Sequence, residues 1–371
     1  MNLEKIARWI VGNQIRRPLL FLAAFAVITL LLVPGIFQLV SHVEPSLEKV
    51  LPQDIRQVRT MNEMRTQFGA DMMYLLVYAD PPVTDIRNPQ FLSYVDSLGQ
   101  KIRTREHVED VQSVVDRIRL QHQNIPGSLA QTEDILARDP FAAQFISEDY
   151  SFTVIRVRSD TGASAELVTK VIEGIEADIA SLEPVNPGAR VQITGFNAID
   201  KATFEVIMSD FLRITIISML LVGIVVFATF RSLRKGMLPM VVVMTALLWT
   251  MGIVGYLGLT ITVVSMVAAA MIMGLGIDFG IHVVHSYYHL RQEGKGSKSA
   301  MKDTMQELLR AMMGASFTTI SGFLALLFGI LPAMKNLGII LAIGIFTTLL
   351  GAVFLLPVIV VLTDRQKTTV R

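Results

Sequence analysis

Asp278 is the residue of this chain whose chemistry most needs an explanation. It lies in the apolar run of residues 271–285, MIMGLGIDFGIHVVH. An ionisable side chain at the centre of a membrane span costs about 2.5–3.5 kcal/mol on insertion scales, so such residues usually carry protons or ions. Desolvation raises the pKa of a carboxyl group towards neutrality, as a reversible proton carrier requires. A structural hydrogen bond or a share in a sodium site are the alternatives.

Small residues and one histidine surround Asp278 at helical spacing. Gly274 and His282 lie one turn away on the same face, and Gly276 and Gly280 lie close by. Glycine allows helices in membranes to approach closely. We therefore expect these glycines to pack at the site and Asp278 to face the interior of a helix bundle.

Candidate relay groups occur on both sides of Asp278. His282, and less strongly His285, could pass protons towards the nearer membrane surface, although a histidine there is often simply solvated. A later apolar segment, ASFTTISGF, contributes four hydroxyl groups and a glycine: Ser316, Thr318, Thr319, Ser321 and Gly322. These hydroxyls either meet the Asp278 region or bond to carbonyls of their own helix. The predicted proton relay is Asp278, His282, Thr318, Thr319 and Ser321.

Composition excludes several other functions. The chain has no cysteine, which removes disulfides and thiolate metal sites, and its net charge of +1 gives no sign of a nucleic-acid partner. One aspartate and one histidine are too few ligands to predict a metal site. No nucleophile–base pair or phosphate loop stands out, so we expect neither an enzyme nor a bound cofactor.

Six apolar segments are long enough to cross a membrane, for which about 20 helical residues suffice. They are residues 18–40, 211–230, 237–256, 261–282, 312–330 and 337–362. The first is too long for a cleavable signal sequence and is interpreted as an anchor, a signal peptide being the alternative. The elements that must position Asp278 are therefore the helices of a six-span bundle.

Basic residues concentrate in the connections on one side of these spans, which predicts that this side is cytoplasmic. They are Arg16, Arg17, Arg231, Arg234, Lys235, Arg291, Lys295, Lys298, Lys302, Arg310, Arg365, Lys367 and Arg371. We expect a multi-pass protein of the cell membrane with both termini in the cytoplasm. Its predicted parts are a segment with span one (1–40), an extracytoplasmic domain (41–210), the remaining spans (211–362) and a tail (363–371).

The external domain alternates helix and strand patterns. Helix patterns cover residues 54–68, 89–103 and 165–182, and strand patterns cover 71–78, 108–115, 151–158 and 190–194. Two βαβ units with an insertion at about 117–149 predict an α+β domain of ferredoxin-like, βαββαβ type. The insertion is a flap or a contact surface, and residues 197–210 are expected to run as helix into span two.

The connection at about 286–311 contains an amphipathic stretch at 301–309. Its apolar residues recur at helical spacing, so we expect it to lie along the cytoplasmic membrane surface as an elbow. A simple packed connection between spans four and five is the alternative.

Several motifs together resemble the resistance–nodulation–division (RND) superfamily, especially its MmpL-like, hopanoid-exporter and Patched-like branches. They are FRSLRKGMLPM before span three, GLGIDFGIH in span four, SFTTISGFLAL in span five and LGIILAIGIFTTLLGAVFLLP in span six. The order of one span, an external domain and five further spans covers the whole chain. The resemblance implies that the acidic residue of span four, Asp278, couples proton flow to export, and that residues 41–210 form a porter domain.

Two departures from that family pattern matter. The MmpL-like pattern usually has tyrosine after the aspartate, where this chain has Phe279, so Thr318, Thr319 or His282 gains importance. Typical members also have about twelve spans in two repeated halves, and this chain resembles one half. That implies a homodimer whose two Asp278 residues lie near a central two-fold interface.

The resemblance implies proton-driven export of lipids or other hydrophobic molecules. A protein-translocation accessory like the SecD/SecF pair shares the half-size plan and is one alternative. A lipid- or sterol-sensing membrane module without transport is another. The identity of the substrate, the choice between proton and sodium, and the path of substrate entry do not follow from the sequence.

Overall fold

The computed structural model describes residues 11–44, 50–60, 63, 72–161 and 165–364. The chain divides into two compact units. The helical unit comprises Met1–Glu44, Glu48–Pro52 and Val206–Arg371, and the sheet-bearing unit comprises Pro45–Leu47 and Gln53–Glu205. Of the helix predicted at 54–68, residues 56–60 and 63 are helical, and residues 61–62 and 64–68 lie outside the described residues.

Helix α1 (Pro18–Val40) belongs to the helical unit and precedes the sheet-bearing unit in the chain. Its elements are β1 (Met72–Ala79), α2 (Pro89–Arg103), β2 (Val108–Gln112), α3 (Val114–His122), α4 (Leu129–Arg138), β3 (Phe152–Ser159), α5 (Ala165–Ser181) and β4 (Ala189–Gly195). The four strands form one antiparallel sheet in the order β2-β3-β1-β4.

Alternation along the strands creates the core of the sheet-bearing unit. Every second residue of β1 is buried, and Met73, Leu75 and Val77 are fully enclosed. Leu75 pairs in register with Ile155 of β3 and Ile193 of β4. The described strands lie close to the predicted positions, except that the second pattern, 108–115, ends as a strand at Gln112 and continues as helix α3.

The insertion is an ordered part of this unit. Its helix α4 contributes Ile135 and Leu136 to the same apolar core as the sheet. Arg117 pairs through Nε with Asp139 Oδ2 at 2.9 Å, and Asp139 is only 5% exposed. The Arg117 guanidinium, helped by the backbone N–H of Phe141, lowers the pKa of the Asp139 carboxyl below its usual value.

The helical unit continues with α6 (Phe196–Phe230), α7 (Leu233–Tyr256), α8 (Ala268–Gln292), α9 (Ser297–Leu324) and α10 (Pro332–Leu350). A π-helical segment, Gly351–Leu355, joins α10 to α11 (Leu356–Thr363). Within the described residues six helical stretches are long and apolar enough to cross a membrane, in agreement with the sequence. The helix predicted at 197–210 is confirmed, since α6 runs without interruption into the second span.

The connection predicted at 286–311 is almost entirely helical. Helix α8 extends to Gln292 and α9 begins at Ser297, so only residues 293–296 separate the two helices. Met301, Met305 and Leu309 are buried at 0%, 1% and 5% exposure within α9. Their apolar face packs against the other helices and does not need a membrane surface, which supports the packed alternative.

Glycines set the closest approaches within the helical unit. Gly252 and Gly255 of α7 lie directly against the backbone of α1 near Leu32 and Gly35, where no Cβ would fit. Trp249 Nε1 of α7 donates a hydrogen bond to Thr29 Oγ1 of α1 at 2.8 Å, which further stabilises the contact between these two helices. Apart from this contact α1 buries little of its surface, as do α6 and α9, whereas α7, α8 and the α10–α11 span are at least half buried.

Candidate functional site

Helix α8 places Asp278 near the middle of the 30-residue apolar stretch Val263–Gln292. Its side chain is exposed, as are Gly274 and His282 one turn to either side. Within the described part of the chain no hydrogen bond or ion pair reaches Asp278. The expectation that Asp278 faces the interior of its own bundle is therefore wrong, because α8 turns this face outwards.

The reason lies on the opposite side of α8. Gly276 and Gly280 are about 200° around the helix from Asp278, at about 100° per residue. A Cβ on Gly276 would lie 2.6 Å from Thr348 Cγ2, and one on Gly280 would lie 2.8 Å from Pro239 Cβ. These two glycines let α8 pack tightly through that face, which leaves Asp278 on the outside.

The other two glycines expected to pack at the site face open space. A Cβ on Gly274 or on Gly322 would meet no atom within 4 Å. Gly314, in the same helix as Gly322, is equally open. Glycine on an exposed helix face costs about 1 kcal/mol relative to alanine without a packing benefit in this chain.

The hydroxyl groups of α9 bond within their own helix. Thr318 Oγ1 donates to Gly314 O at 2.8 Å, Thr319 Oγ1 to Ala315 O at 2.9 Å, and Ser321 Oγ to Phe317 O at 2.8 Å. The structure therefore does not bring Thr318, Thr319 or Ser321 to Asp278. Thr318 and Ser321 are exposed, and Thr319 is half-buried.

Ser316 is the exception among these hydroxyls. It is 0% exposed, and its Oγ finds no hydrogen-bond partner among the described residues. His285, like His282, is exposed. In the part of the chain that the structure describes, no group of three or more acidic or histidine side chains is placed to hold a metal ion.

Sequence reasoning missed a buried hydroxyl cluster between α7 and α10. Thr250 Oγ1 and Thr347 Oγ1 lie 2.9 Å apart, and Thr347 also donates to Ala246 O at 3.2 Å. Thr348, which touches Gly276, donates to Gly344 O at 2.7 Å. These threonines form the polar side of the seam behind Asp278, and no local pattern distinguishes them from packing residues.

Sequence reasoning also missed a buried ion pair at the other end of α8. Arg291 Nε and Asp364 Oδ2 lie 2.7 Å apart, with side chains only 3% and 2% exposed. Tyr287 Oη donates to Asp364 Oδ2 at 2.6 Å, and its oxygen lies 2.7 Å from Ser297 Oγ. Arg291 Nη1 also donates to Lys295 O at 2.7 Å. This network ties α8, the following turn and the end of α11 together.

Comparisons with known proteins place this chain among known membrane proteins. The model of the MMPL family matches residues 49–371. A membrane protein of Methanocaldococcus jannaschii, MJ1562, is 29% identical over 99% of this chain and 96% of its own length.

Larger relatives match as well. The transport protein MmpL4 of Mycobacterium leprae is 23% identical over 92% of this chain, and the siderophore exporter MmpL5 of Mycobacterium tuberculosis is 26% identical over 59% of it. This chain spans 35% of the length of the first and 23% of the second.

Proposed function

The chain belongs to the MMPL family, a family of transporters, and on that premise we propose that it exports lipids or other hydrophobic molecules by secondary active transport. The proton gradient across the cell membrane drives this export. The observation that carries the proposal is Asp278, an ionisable group halfway along an apolar span with no partner among the described residues. The names of MmpL4 and MmpL5 as a transport protein and a siderophore exporter support the class of activity.

In this proposal, protonation of Asp278 supplies the free energy that drives the conformational change of the transporter. A carboxylate in hydrocarbon costs about 2.5–3.5 kcal/mol, and protonation removes that cost. Moving one charge through the membrane potential contributes about 2.3 kcal/mol per 100 mV. That work shifts a two-state equilibrium by roughly fifty-fold, because about 1.4 kcal/mol corresponds to a factor of ten.

A second copy of the chain completes the site. The exposed face of α8 carries Gly274, Asp278 and His282, and the exposed positions of α9 include Thr318 and Ser321. Hydrocarbon is an unfavourable neighbour for this polar face, whereas an identical face related by a two-fold axis solvates it. Such a pairing brings the two Asp278 carboxyl groups to one shared site near the axis.

The sheet-bearing unit is proposed to be the extracytoplasmic porter domain, of ferredoxin-like type. The strand order β2-β3-β1-β4 supports this, as do the helix α2 between β1 and β2 and the helix α5 between β3 and β4. The basic connections Arg231–Lys235 and 291–310 support cytoplasmic termini. The absence of cysteine allows single introduced cysteines to report the side of each connection by labelling from outside the cell.

The decisive experiment measures gradient-driven export in proteoliposomes. Purified protein is reconstituted with a fluorescent phospholipid as the hydrophobic probe, and an internal pH dye records proton flux. We expect Asp278→Asn to abolish both signals while the matched change Asp210→Asn, near the beginning of the span in α6, retains them. Full transport by Asp278→Asn would overturn proton coupling. Probe binding that is independent of any gradient would favour the sensing module instead.

The homodimer has its own test. Leu275, beside Gly274, is 43% exposed, and Leu31 on α1 is 65% exposed. In membranes we expect Leu275→Cys to form a disulfide-linked dimer and Leu31→Cys to remain monomeric under the same oxidation. Monomer in both variants, with a monomer mass in detergent, would remove the second copy from the proposal.

A further inference from the structure

Residues 11–16, which precede α1, are helical and dock on the ends of three spanning helices. Val11, Gln14 and Ile15 are 1%, 0% and 9% exposed. The two apolar residues belong to one cluster with members of α8, α9 and α11: Val283, Tyr287, Met301, Leu356 and Val360. The segment is therefore a packed part of the helical unit.

Gln14 makes a specific bond from this segment to the last span. Its Nε2 donates to the carbonyl oxygen of Val353 at 3.1 Å. Val353 lies in the π-helical segment Gly351–Leu355, four residues before Pro357. Proline has no N–H, so the α-helical donor to the Val353 carbonyl is missing, and Gln14 donates to that carbonyl instead.

The remaining atom of the Gln14 amide shows that this bond has a cost. Its Oε1 is buried and has no hydrogen-bond partner among the residues described. The amide cannot be reversed, since a carbonyl oxygen accepts only from the nitrogen. A buried acceptor without a partner is unfavourable, and an apolar side chain of the same shape would avoid the penalty. The bond to Val353 is the feature that an apolar residue would lose.

The π-helical segment is in turn linked to the helix that carries Asp278. Thr348, three residues before this segment, rests against Gly276 of α8, where an added Cβ would lie 2.6 Å from Thr348 Cγ2. Gly276 is two residues before Asp278 along the helix. Gly351 packs against Val242 of α7, where an added Cβ would lie 2.9 Å from Val242 Cγ1.

We propose that Gln14 is a positioning residue for proton coupling. It holds the last span in its π-helical form by serving as the missing donor at Val353. Through the contact of Thr348 with Gly276, that form fixes the part of α8 that presents Asp278. A π-helical turn is a place where a helix can change its register, and such turns often occur at functional sites. The inference rests on the proposed transport function and adds a regulator of its site.

A double-mutant cycle between Gln14 and Pro357 tests the proposal. Gln14→Ala removes the donor, and Pro357→Ala gives the helix its own N–H for Val353. In the native background we expect Gln14→Ala to slow probe export about two- to tenfold, the range that one hydrogen bond represents, and to displace its pH profile. In the Pro357→Ala background the same change should have little effect on either readout. Equal effects in the two backgrounds would overturn the proposal.

Two further variants keep the outcome interpretable. Gln14→Met removes the donor but preserves the packed volume, so it should slow export as Gln14→Ala does. It therefore replaces Gln14→Ala in the test if Gln14→Ala folds poorly. Asn13→Ala removes the adjacent amide side chain and should leave the export rate and its pH profile unchanged.

Hydrogen exchange across residues 353–358 provides a readout that is independent of transport. We expect faster exchange with Gln14→Met but not with Asn13→Ala. Unchanged exchange would refute the role of Gln14 even if export depends on Asp278. Faster exchange together with normal export by Asp278→Asn would refute only the proposed function.

Discussion

Helix α8 carries two charged residues, Asp278 and Arg291, that differ in burial and in the number of groups that bond to them. Arg291 is 7% exposed and pairs with Asp364 inside a hydrogen-bonded network. Asp278 is exposed on an apolar stretch and has no partner within the described residues. Arg291 is thus enclosed together with its counter-charge, whereas Asp278 has no counter-charge among the described residues.

This contrast separates architecture from candidate chemistry. Both kinds of residue are rare in apolar helices, so rarity alone does not distinguish them. What distinguishes them is the number of protein groups that satisfy the charge. Arg291 and Asp364 stabilise one arrangement of α8 and α11, and Asp278 remains available to a proton, an ion or a second copy of the chain.

The largest expected effect comes from breaking the enclosed pair. Asp364→Leu leaves the Arg291 guanidinium buried without its counter-charge, which typically costs about 3–5 kcal/mol. We expect a large fall in the thermal unfolding midpoint in detergent. Asp278→Leu, measured in the same way, should leave the midpoint unchanged or raise it slightly.

The double variant Arg291→Met with Asp364→Leu sharpens the comparison. Replacing both partners of a buried pair by apolar groups is often neutral. We therefore expect it to recover most of the midpoint lost by Asp364→Leu alone. A loss of stability in Asp278→Leu as large as that in Asp364→Leu would mean that the two charges are not treated differently.

Two glycines on opposite faces of α8 should differ by a smaller amount. Gly276→Ala forces a methyl group against Thr348, whose hydroxyl is held by Gly344 O at 2.7 Å, and overpacking of this kind costs about 1–3 kcal/mol. Gly274→Ala meets no atom within 4 Å and should stabilise the folded chain by up to about 1 kcal/mol, because alanine favours a helix more than glycine does. Thermal unfolding of both variants checks this.

Thr348, the residue that Gly276 contacts, provides the control. Thr348→Ala should relieve the cost of Gly276→Ala and leave Gly274→Ala unaffected. If Gly274→Ala proves as destabilising in detergent as Gly276→Ala, the outward orientation of the Asp278 face is refuted.

Much of this architecture follows from short-range patterns. Sustained hydropathy identifies six spans, and alternation along 71–78 and 151–158 identifies the two central strands. Asp278 is found because a carboxylate in an apolar run is costly. The orientation of α8 does not follow, because glycines lie on both of its faces and only their partners, Thr348 and Pro239, decide which face is buried.

Contacts between distant parts of the chain are equally hidden from the sequence. Arg291 and Asp364 each resemble a solvated residue in a charged connection, and their pairing appears only when α8 and α11 end side by side. The bond from Gln14 to Val353 depends on a docked segment at the opposite end of the chain. Neither contact leaves a periodic signal that a window of sequence would detect.

The sheet-bearing unit also contains a buried ion pair and an exposed one. The buried pair, Arg117 with Asp139, should have a smaller effect on stability than Arg291 with Asp364, and this effect depends on pH. Because Arg117 lowers the pKa of Asp139 in the folded state, their pair stabilises folding above the ordinary carboxyl pKa of 3.8. That contribution to stability is lost as the pH falls below 3.8 and passes the lowered pKa of Asp139 in the folded state, where its carboxylate becomes protonated. Arg117→Ala should therefore reduce the unfolding midpoint at neutral pH and flatten its decline in acid.

An exposed pair in the same unit serves as the control for this pH dependence. Arg138 and Asp134 are 72% and 60% exposed, and such surface pairs contribute little. Arg138→Ala should leave both the midpoint and its acid dependence nearly unchanged. Equal acid profiles for Arg117→Ala and the unmodified protein would contradict the assigned role of the Arg117–Asp139 pair.

The smallest effects are expected at the hydroxyl groups of α9, and their sign is informative. Thr318→Val and Ser321→Ala remove groups that bond only to their own helix, so each should change unfolding of the single chain by less than about 0.5 kcal/mol. Ser316→Ala removes a buried oxygen that has no partner among the described residues, and it should raise the unfolding midpoint. If Thr318→Val weakens the Leu275→Cys crosslink in membranes while Ser316→Ala does not, the exposed hydroxyl belongs with Asp278 at the surface that a second copy covers. If neither variant alters the crosslink, these hydroxyls act only within α9, and Asp278 requires a different partner.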